Sequence, residues 1–384
     1  MHSDRVHQRP GGARIAVWRR WRVVAPLATA MVVIITGCGS SSNNTPASNA
    51  PASSASAGVS TATGPGTPAP KPLAQLTKVT AADAVSLEVY DTMLLADYFG
   101  EFRKENLDVS ISTIPVPAAV AALQSGSLDV YTIGVSAAIL NAQASGSDIR
   151  FVAATGGVPQ DSDLQGFWIR TDLVPAGGTF DPCKMKGLTV SVGGSAGAGA
   201  SDLLFLQGYL SKCQLTIKDV KISSLGGPNE LIALQQKSID AGFLADPLWQ
   251  NAQSGGYAKP LIIPGTSTPT LGGYVMGALR TQHPDVAQAF VRAMIRTSRT
   301  YLQGDYHANP TVLNALASEL HQTAAVVTTA PSQVFDPNLI FKTDGASQLQ
   351  QIWLGVGNVL SYSAPLTSSQ IYDPSILKAV IGKG

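Results

Sequence analysis

DVSISTIPVPAAVAALQSGSLDVYT (108–132) and DVKISSLGGPNELIALQQKSIDAGF (219–243) are two versions of one pattern within the same chain. Aligned without a gap at an offset of 111 residues, ten of their 25 positions are identical. Each copy has an alternating apolar run typical of a strand, a helix-like segment, a polar turn and a second apolar run. This order predicts a βαβ unit with parallel strands and a right-handed crossover. Two such units predict two similar α/β lobes, with a chance repeat as the alternative.

The N-terminal segment has the features of an export signal. Arg14, Arg19, Arg20 and Arg22 precede the apolar run VVAPLATAMVVII (23–35), which is too short for an ordinary membrane-spanning helix. The run leads to Ile-Thr-Gly-Cys at 35–38, which resembles the bacterial lipobox. That resemblance implies a signal peptide over 1–37 and lipid attachment at Cys38. A plain signal peptide with an incidental cysteine is the alternative.

Residues 39–72 consist almost wholly of Ser, Ala, Pro, Asn, Thr and Gly. A segment of this composition buries too little apolar surface to form a core, and it is typical of a flexible tether. We therefore predict a lipidated cysteine and tether over 38–78, with the folded part beginning near Val79.

The formal charge of +1 is dominated by the first 37 residues, which hold six arginines and one aspartate. Without them, 20 basic and 24 acidic residues remain, a formal charge of −4. This sign, together with the lack of a basic run, argues against a nucleic-acid partner.

Strand and helix patterns alternate up to about residue 272, and helical patterns dominate afterwards. The alternation predicts a mainly parallel sheet in each lobe. Besides those of the repeat, strands are predicted at 85–90, 149–154, 167–170 and 188–192. Helices are predicted at 94–106, 136–144, 198–211, 284–302, 309–321, 345–361 and 374–382.

Two further cysteines are placed so that a disulfide is expected. Cys183 lies just before the predicted strand 188–192, and Cys213 lies just after the helix predicted for 198–211. A helix that packs antiparallel to its preceding strand ends near the start of that strand, and the exported compartment is oxidising. We expect Cys183 and Cys213 to be bonded, with two buried free thiols as the alternative.

The sequence offers little support for metal or redox catalysis. The mature chain has three histidines (His283, His307 and His321), all in the helical C-terminal third. It has no H-E-x-x-H helix and no C-x-x-C pair. We predict no catalytic residue, no metal ligand and no cofactor.

Ligands of open α/β sheets bind beyond the carboxyl ends of strands, near helix N-termini. The Gly-rich turn 193–199 follows one such strand, although it lacks the spacing of a phosphate loop and a packing turn is the alternative. Helix N-capping is the alternative role of Asp91 and Asp246. The expected ligand-binding residues are Asp91, Thr92, Met93, Ser136, Thr155 and Gly156 from lobe one, and Gly194, Ser195, Ala196, Gly197, Asn229, Asp246 and Trp249 from lobe two.

Five stretches, in order, resemble the solute-binding proteins of ABC importers: YFGEFRKENLDVSI, ALQSGSLDVYTIG, GSDIRFVAAT, KGLTVSVGGSAG and ALQQKSIDAGFLADP. The resemblance covers roughly 83–250 and is greatest to the nitrate, sulfonate and taurine group, which also contains thiamine-pyrimidine proteins. It implies an α/β fold of periplasmic-binding-protein type II, with two α/β lobes and a ligand cleft between them. By this analogy lobe one is 79–171 plus 272–384, and lobe two is 172–271.

The resemblance also implies a role without catalysis. The expected protein is a monomer, lipid-anchored at the outer face of the cytoplasmic membrane, that captures a small polar organic solute. It would deliver this solute to ABC permease and ATPase subunits. An enzyme of the thiamine-pyrimidine branch and a ligand-sensing lipoprotein are the alternatives.

One departure from an anion-binding site concerns the ligand. The predicted cleft loops contain no lysine or arginine, whereas Asp91 and Asp246 lie at their edges. This favours a taurine-like zwitterion or a pyrimidine- or amine-like solute over a pure anion such as nitrate. An arginine that reaches in from the C-terminal segment is the alternative.

Overall fold

The two copies of the repeat lie in two separate β-sheets of five strands each. A computed structural model describes residues 66–159, 166–192, 201–225, 227–244, 248–262 and 271–382. The strands are β1 (Thr77–Asp83), β2 (Leu107–Thr113), β3 (Val130–Gly134), β4 (Arg150–Ala154), β5 (Gly166–Arg170), β6 (Thr189–Ser191), β7 (Lys221–Ser223), β8 (Ala241–Leu244), β9 (Ala258–Ile262) and β10 (Gly272–Met276).

The two sheets share one strand order, β2-β1-β3-β10-β4 in the first and β7-β6-β8-β5-β9 in the second. Strands β10 and β5 are antiparallel to both of their neighbours, and the other strands of each sheet run parallel to one another. The predicted mainly parallel sheets are therefore confirmed. Each sheet also contains one strand that follows a connection from the other sheet.

The aspartate that both copies of the repeat share makes the same backbone hydrogen bond in each sheet. The Asp129 carboxylate accepts a hydrogen bond from the Thr80 backbone N–H at 2.8 Å, and Asp240 accepts one from Thr189 N–H at 2.8 Å. In each case the aspartate precedes the second strand of the βαβ unit and holds it against the neighbouring strand. The aspartate common to both copies thus makes the same backbone hydrogen bond in each sheet.

Helices cover both sheets. They are α1 (Asp91–Tyr98), α2 (Val116–Ser125), α3 (Ala137–Ala144), α4 (Leu203–Leu210), α5 (Pro228–Gln235), α6 (Leu248–Ser254), α7 (Ala278–Gln282), α8 (Pro284–Tyr301), α9 (Pro310–Glu319), α10 (Ala324–Val327), α11 (Asp344–Val356), α12 (Ser368–Ile371) and α13 (Ser375–Ile381). Within the ranges that the structure describes, none of these helices combines the length and the apolar character needed to span a membrane.

The strand predicted at 85–90 is wrong. That stretch forms a loop and a short 3-10 turn, Glu88–Tyr90, whereas β1 lies earlier, at Thr77–Asp83. The alternation of Val85, Leu87 and Val89 resembles a strand, but α1 begins at Asp91, so the chain must already turn there. The true strand buries small side chains such as Ala81 and gives a weaker apolar signal.

Four buried charged residues join α8 to the turn after α1. Arg296 Nε donates to Glu101 at 2.8 Å, and another of its nitrogens donates to Glu105. Arg292 Nε donates to Glu105 at 3.0 Å, and its Nη2 donates to the Lys71 carbonyl at 2.8 Å. Because Lys71 lies in the segment predicted as tether, ordered contacts begin before Val79.

Helix α11 connects the layers around the two sheets. It packs on α4, which follows β6 of the second sheet. The chain just after α11 is bonded to α3 of the first sheet. There, Asn141 donates to the Val359 carbonyl at 3.1 Å and accepts from Ser361 N–H at 2.8 Å. Trp353 of α11 is fully buried. Helix α11 is therefore a link between the sheets in addition to the chain connections.

A disulfide joins Cys183 and Cys213, whose Cα atoms are 5.1 Å apart. Cys183 lies in the turn before β6, and Cys213 ends the turn after α4. This is the placement that the antiparallel packing of α4 on β6 produces. The bond lies at the amino end of β6, away from the carboxyl edge of the sheet.

Candidate functional site

The carboxyl edge of the first sheet faces the chain that leaves the second sheet. Gly134 ends β3, and Ser201 lies between β6 and α4. A methyl group on Gly134 would come within 3.2 Å of the Ser201 hydroxyl oxygen and 3.7 Å of the Tyr90 hydroxyl oxygen. The end of β3 in the first sheet therefore lies next to the chain that follows β6 of the second sheet, and the residue at the closest point, Gly134, has no side chain.

Asp91 is the most unusual group near this edge. It begins α1 and is 0 % exposed, yet neither carboxylate oxygen has a hydrogen-bond partner in the described parts of the chain. Burial raises the pKa of Asp91 well above its ordinary value, and the charges of Glu88, Glu319 and Asp83 raise it further. It does not act as a helix cap through a side-chain hydrogen bond, so a ligand could satisfy it.

The other predicted residues of lobe one are also buried. The Ser136 hydroxyl precedes α3 and has no partner among the residues described, whereas the Thr155 hydroxyl donates to the Gly156 carbonyl at 3.2 Å. Gly156 N–H donates to the Val89 carbonyl at 2.8 Å, which brings the end of β4 close to the segment before α1. A side chain at Gly156 would collide with the Phe335 ring, at 2.6 Å. Three strand ends thus converge here.

The second sheet contributes Glu230, a residue that the sequence did not single out. It lies in α5 at 1 % exposure, and its carboxylate accepts a hydrogen bond from the Ser191 hydroxyl at 2.7 Å. Burial raises the pKa of Glu230 to about 8, although the hydrogen bond from Ser191 opposes that shift. In the repeat alignment Glu230 corresponds to the buried Ala119. A carboxylate at a position that is apolar in the other copy of the repeat was the sequence signal that could have identified Glu230.

Asp202 links the two sides of the site electrostatically. It directly follows Ser201 at the start of α4. Burial is the main cause of the raised pKa of Tyr90 in the first lobe and of Glu230 in the second, and the charge of Asp202 adds to both shifts. One acidic group therefore acts on buried groups of both sheets.

Four other predicted ligand residues lie in α1, α5 and α6. Trp249 is buried and stacks on Trp168 with ring centroids 6.2 Å apart, and Met93 accepts a hydrogen bond from the Thr132 hydroxyl in the core of the first sheet. Thr92 is buried beside Met93, and Asn229 is exposed in the first turn of α5. The predicted residues Gly194, Ser195, Ala196, Gly197 and Asp246, and the lipidation site Cys38, lie outside the described residues.

A histidine also approaches the site from the C-terminal third. His307 Nε2 lies 2.9 Å from the Glu88 carboxylate, three residues before Asp91, and Nδ1 lies 3.2 Å from the Ala330 carbonyl. The two residues of this contact, His307 and Glu88, are too far apart in the sequence for any local pattern to predict it. The letters GGSAG at 193–197 also match the serine pattern G-x-S-x-G, whose chemistry needs a histidine as base. Both ring nitrogens of His307 are already engaged by Glu88 and Ala330.

The raised pKa of Glu230 predicts a pH-dependent stability. Between its ordinary value of 4.5 and about 8, the unfolded carboxyl loses its proton while the folded one keeps it. The free energy of unfolding should therefore fall as pH rises through this window, by roughly 1 kcal/mol per pH unit. The Glu230→Gln variant should show a shallower slope in urea denaturation between pH 5 and 8, because the raised pKa of the buried Asp91 still contributes a slope of the same sign. The exposed Asp108→Asn variant should follow the wild type. Parallel curves for the wild type and the Glu230→Gln variant would contradict the prediction.

Comparison with solved structures identifies the fold. The alkanesulfonate-binding protein SsuA from Xanthomonas axonopodis pv. citri, bound to MOPS, matches with a TM-score of 0.58 and 18 % identity, over 78 % of this chain and 99 % of that one. The periplasmic aliphatic sulphonate binding protein SsuA from Escherichia coli matches with a TM-score of 0.57 and 18 % identity, over 78 % and 92 %. The periplasmic nitrate-binding protein NrtA from Synechocystis PCC 6803 matches with a TM-score of 0.58 and 12 % identity, over 79 % and 86 %.

Comparison with protein-family models and with curated protein sequences gives no match. The likeness is therefore one of fold, at low sequence identity. The chain has the periplasmic-binding-protein fold, with two sheets of the strand order described above.

Proposed function

We propose that this chain is an extracytoplasmic solute-binding protein that captures a small polar organic solute and delivers it to an ABC permease. One observation carries the proposal: Gly134, the last residue of β3, lies next to Ser201, which follows β6, so a ligand bound beside this contact would touch both sheets. Buried groups without partners in the described ranges, Asp91 and Ser136, lie at the same strand ends. They are suited to binding a polar molecule that replaces their lost water.

The similar structures support a transport role. Three of them are sulfonate- or nitrate-binding proteins, and two of these three are periplasmic. A signal peptide over 1–37 and lipid at Cys38 would place this chain outside the cytoplasmic membrane, where it would meet a permease. The site between the sheets needs no catalytic group for this role.

A ligand screen tests the proposal. We expect the melting temperature of the purified protein to rise with one class of compound among sulfonates, taurine, nitrate, amines and pyrimidines. A ligand that binds only the folded state at a hundredfold excess over Kd stabilises it by about 2.7 kcal/mol. The Gly134→Trp variant should lose this response, because the new side chain would fill the contact with Ser201.

The matched control is Gly208→Trp in α4, where an added side chain meets open space. It should respond to ligand as the wild type does. A wild-type protein that responds to no compound of any class, or a Gly134→Trp variant that still responds fully, would overturn the proposed site.

A further inference from the structure

Lysine and arginine are absent from the connections at the carboxyl edge of each sheet. Eight connections reach the carboxyl edges: 84–90, 114–115, 135–136, 155–165, 192–202, 224–227, 245–247 and 263–271. In sequence they contain no lysine or arginine, and among their described residues Glu88 and Asp202 are acidic. Asp83 ends β1, and Asp91 and Glu230 stand in the first turns of the helices that follow. All five of these side chains are acids.

The amino edges differ, because connections there carry both signs. The connection 99–106 before β2 contains Arg103 and Lys104, and the connection 211–220 before β7 contains Lys212 and Lys218. Lys237, before β8, lies 2.9 Å from an Asp172 carboxylate oxygen. The absence of cations from the carboxyl edges is therefore not a general scarcity of lysine and arginine in this chain.

The acidic groups form a continuous series across the site. The charge of Asp202 helps to raise the pKa of both Glu230 and Tyr90. The charge of Asp83 helps to raise the pKa of both Tyr90 and Asp91. The series runs from the second sheet to the first. Asp91 is the group with the greatest need of a partner, since both of its oxygens are buried without one in the structure as described.

We propose that the solute of this protein carries a cationic nitrogen, an ammonium or guanidinium group, which the carboxyl groups of Asp83, Asp91, Asp202 and Glu230 attract, with Asp91 as its main partner. This rests on the proposed function and narrows its substrate class. A cation would supply donors that the Asp91 oxygens lack, and it would favour the ionised carboxylate, which burial and the neighbouring acids disfavour. A sulfonate or nitrate would add a further negative charge next to these carboxylates.

The test uses solutes of one skeleton and different charge. Butylammonium and butylguanidinium are the cations, 4-aminobutanoate is the zwitterion, and butane-1-sulfonate and butanoate are the anions, with sodium nitrate and potassium chloride as inorganic salts. Binding to the purified protein is measured by calorimetric titration at constant ionic strength. We expect binding of the cations, weaker binding of the zwitterion and none of the anions or salts.

The variants locate the charge contact. Asp91→Asn should weaken cation binding by about 30-fold or more, because the buried charge partner is lost while the fold is relieved of an unpaired carboxylate. Glu230→Gln should weaken it less. The exposed Asp108→Asn variant, at the amino end of β2, should bind as the wild type does.

The outcomes separate this inference from the proposed function. Binding of butane-1-sulfonate, butanoate or nitrate, abolished by Gly134→Trp and without a response to the cations, would overturn the cationic assignment and leave solute binding in place. An equal response to potassium chloride, or cation binding unaffected by Asp91→Asn, would also overturn it. No response in the charge series, together with none in the broader ligand screen, would overturn both proposals.

Discussion

Replacement of Arg296 by methionine should destabilise the protein by about 3–5 kcal/mol, the cost of breaking a buried ion pair by removing one partner. The Arg296 guanidinium is buried and donates to the Glu101 carboxylate, the Glu101 carbonyl and the Glu105 carboxylate. Methionine fills similar space but leaves these acceptors without that donor. Guanidinium denaturation at neutral pH measures the loss.

The control for this variant removes a different partner of Glu101, the exposed Lys104. Lys104 lies 2.6 Å from Glu101, with 48 % of its side chain exposed. Lys104→Met should therefore cost less than about 1 kcal/mol, since exposed ion pairs contribute little. Equal losses for the two variants would show that burial of the Arg296 network is not what stabilises it.

Replacement of Trp353 by alanine should cost about 3–5 kcal/mol, because it empties a large, fully buried site in α11. The effect should extend to both sheets, since α11 packs on α4 and its C-terminal continuation is bonded to Asn141 of α3. Denaturation measures the total, and hydrogen exchange locates it. We expect faster exchange in α4 and α11 and unchanged exchange in α8.

Ile352→Ala removes the half-buried neighbour of Trp353 and should cost clearly less. A Trp353→Ala variant whose exchange rises only within α11 would contradict the linking role of this helix, even if the total destabilisation were as large as expected. Denaturation thus measures the loss of packing around Trp353, and hydrogen exchange shows whether that loss extends from α11 to α4.

The internal repeat was enough to predict two α/β units, because its strand and helix periods are local properties of the chain. Its aspartates, Asp129 and Asp240, proved to be structural residues that accept equivalent backbone hydrogen bonds, from Thr80 and Thr189. The strand at 85–90 failed for the opposite reason, since apolar alternation there competes with the start of α1. The extra strand of each sheet could not be assigned a neighbour from sequence, because β10 pairs with strands more than a hundred residues away.

Only some of the groups at the candidate site could be singled out from the sequence. Asp91 and Ser136 were candidates because strand ends and helix starts are visible in sequence, and their role in ligand binding stays a prediction. Glu230 was missed because its hydrogen-bond partner, Ser191, lies on another element. His307 and Glu88 are 219 residues apart, and no local pattern connects them. Trp249 was expected at the ligand because it follows a strand end, but its stacking on Trp168 could be seen only in the fold.

The placement of β10 has a consequence for the order in which the chain folds. All five strands of the second sheet lie between residues 166 and 262, so that sheet can complete itself from one continuous segment. The first sheet lacks the strand between β3 and β4 until residues 272–276 are available. In a chain that emerges from its N-terminus, we therefore expect the second sheet to form first. The unpaired edges of β3 and β4 are the surfaces that need protection from aggregation until then.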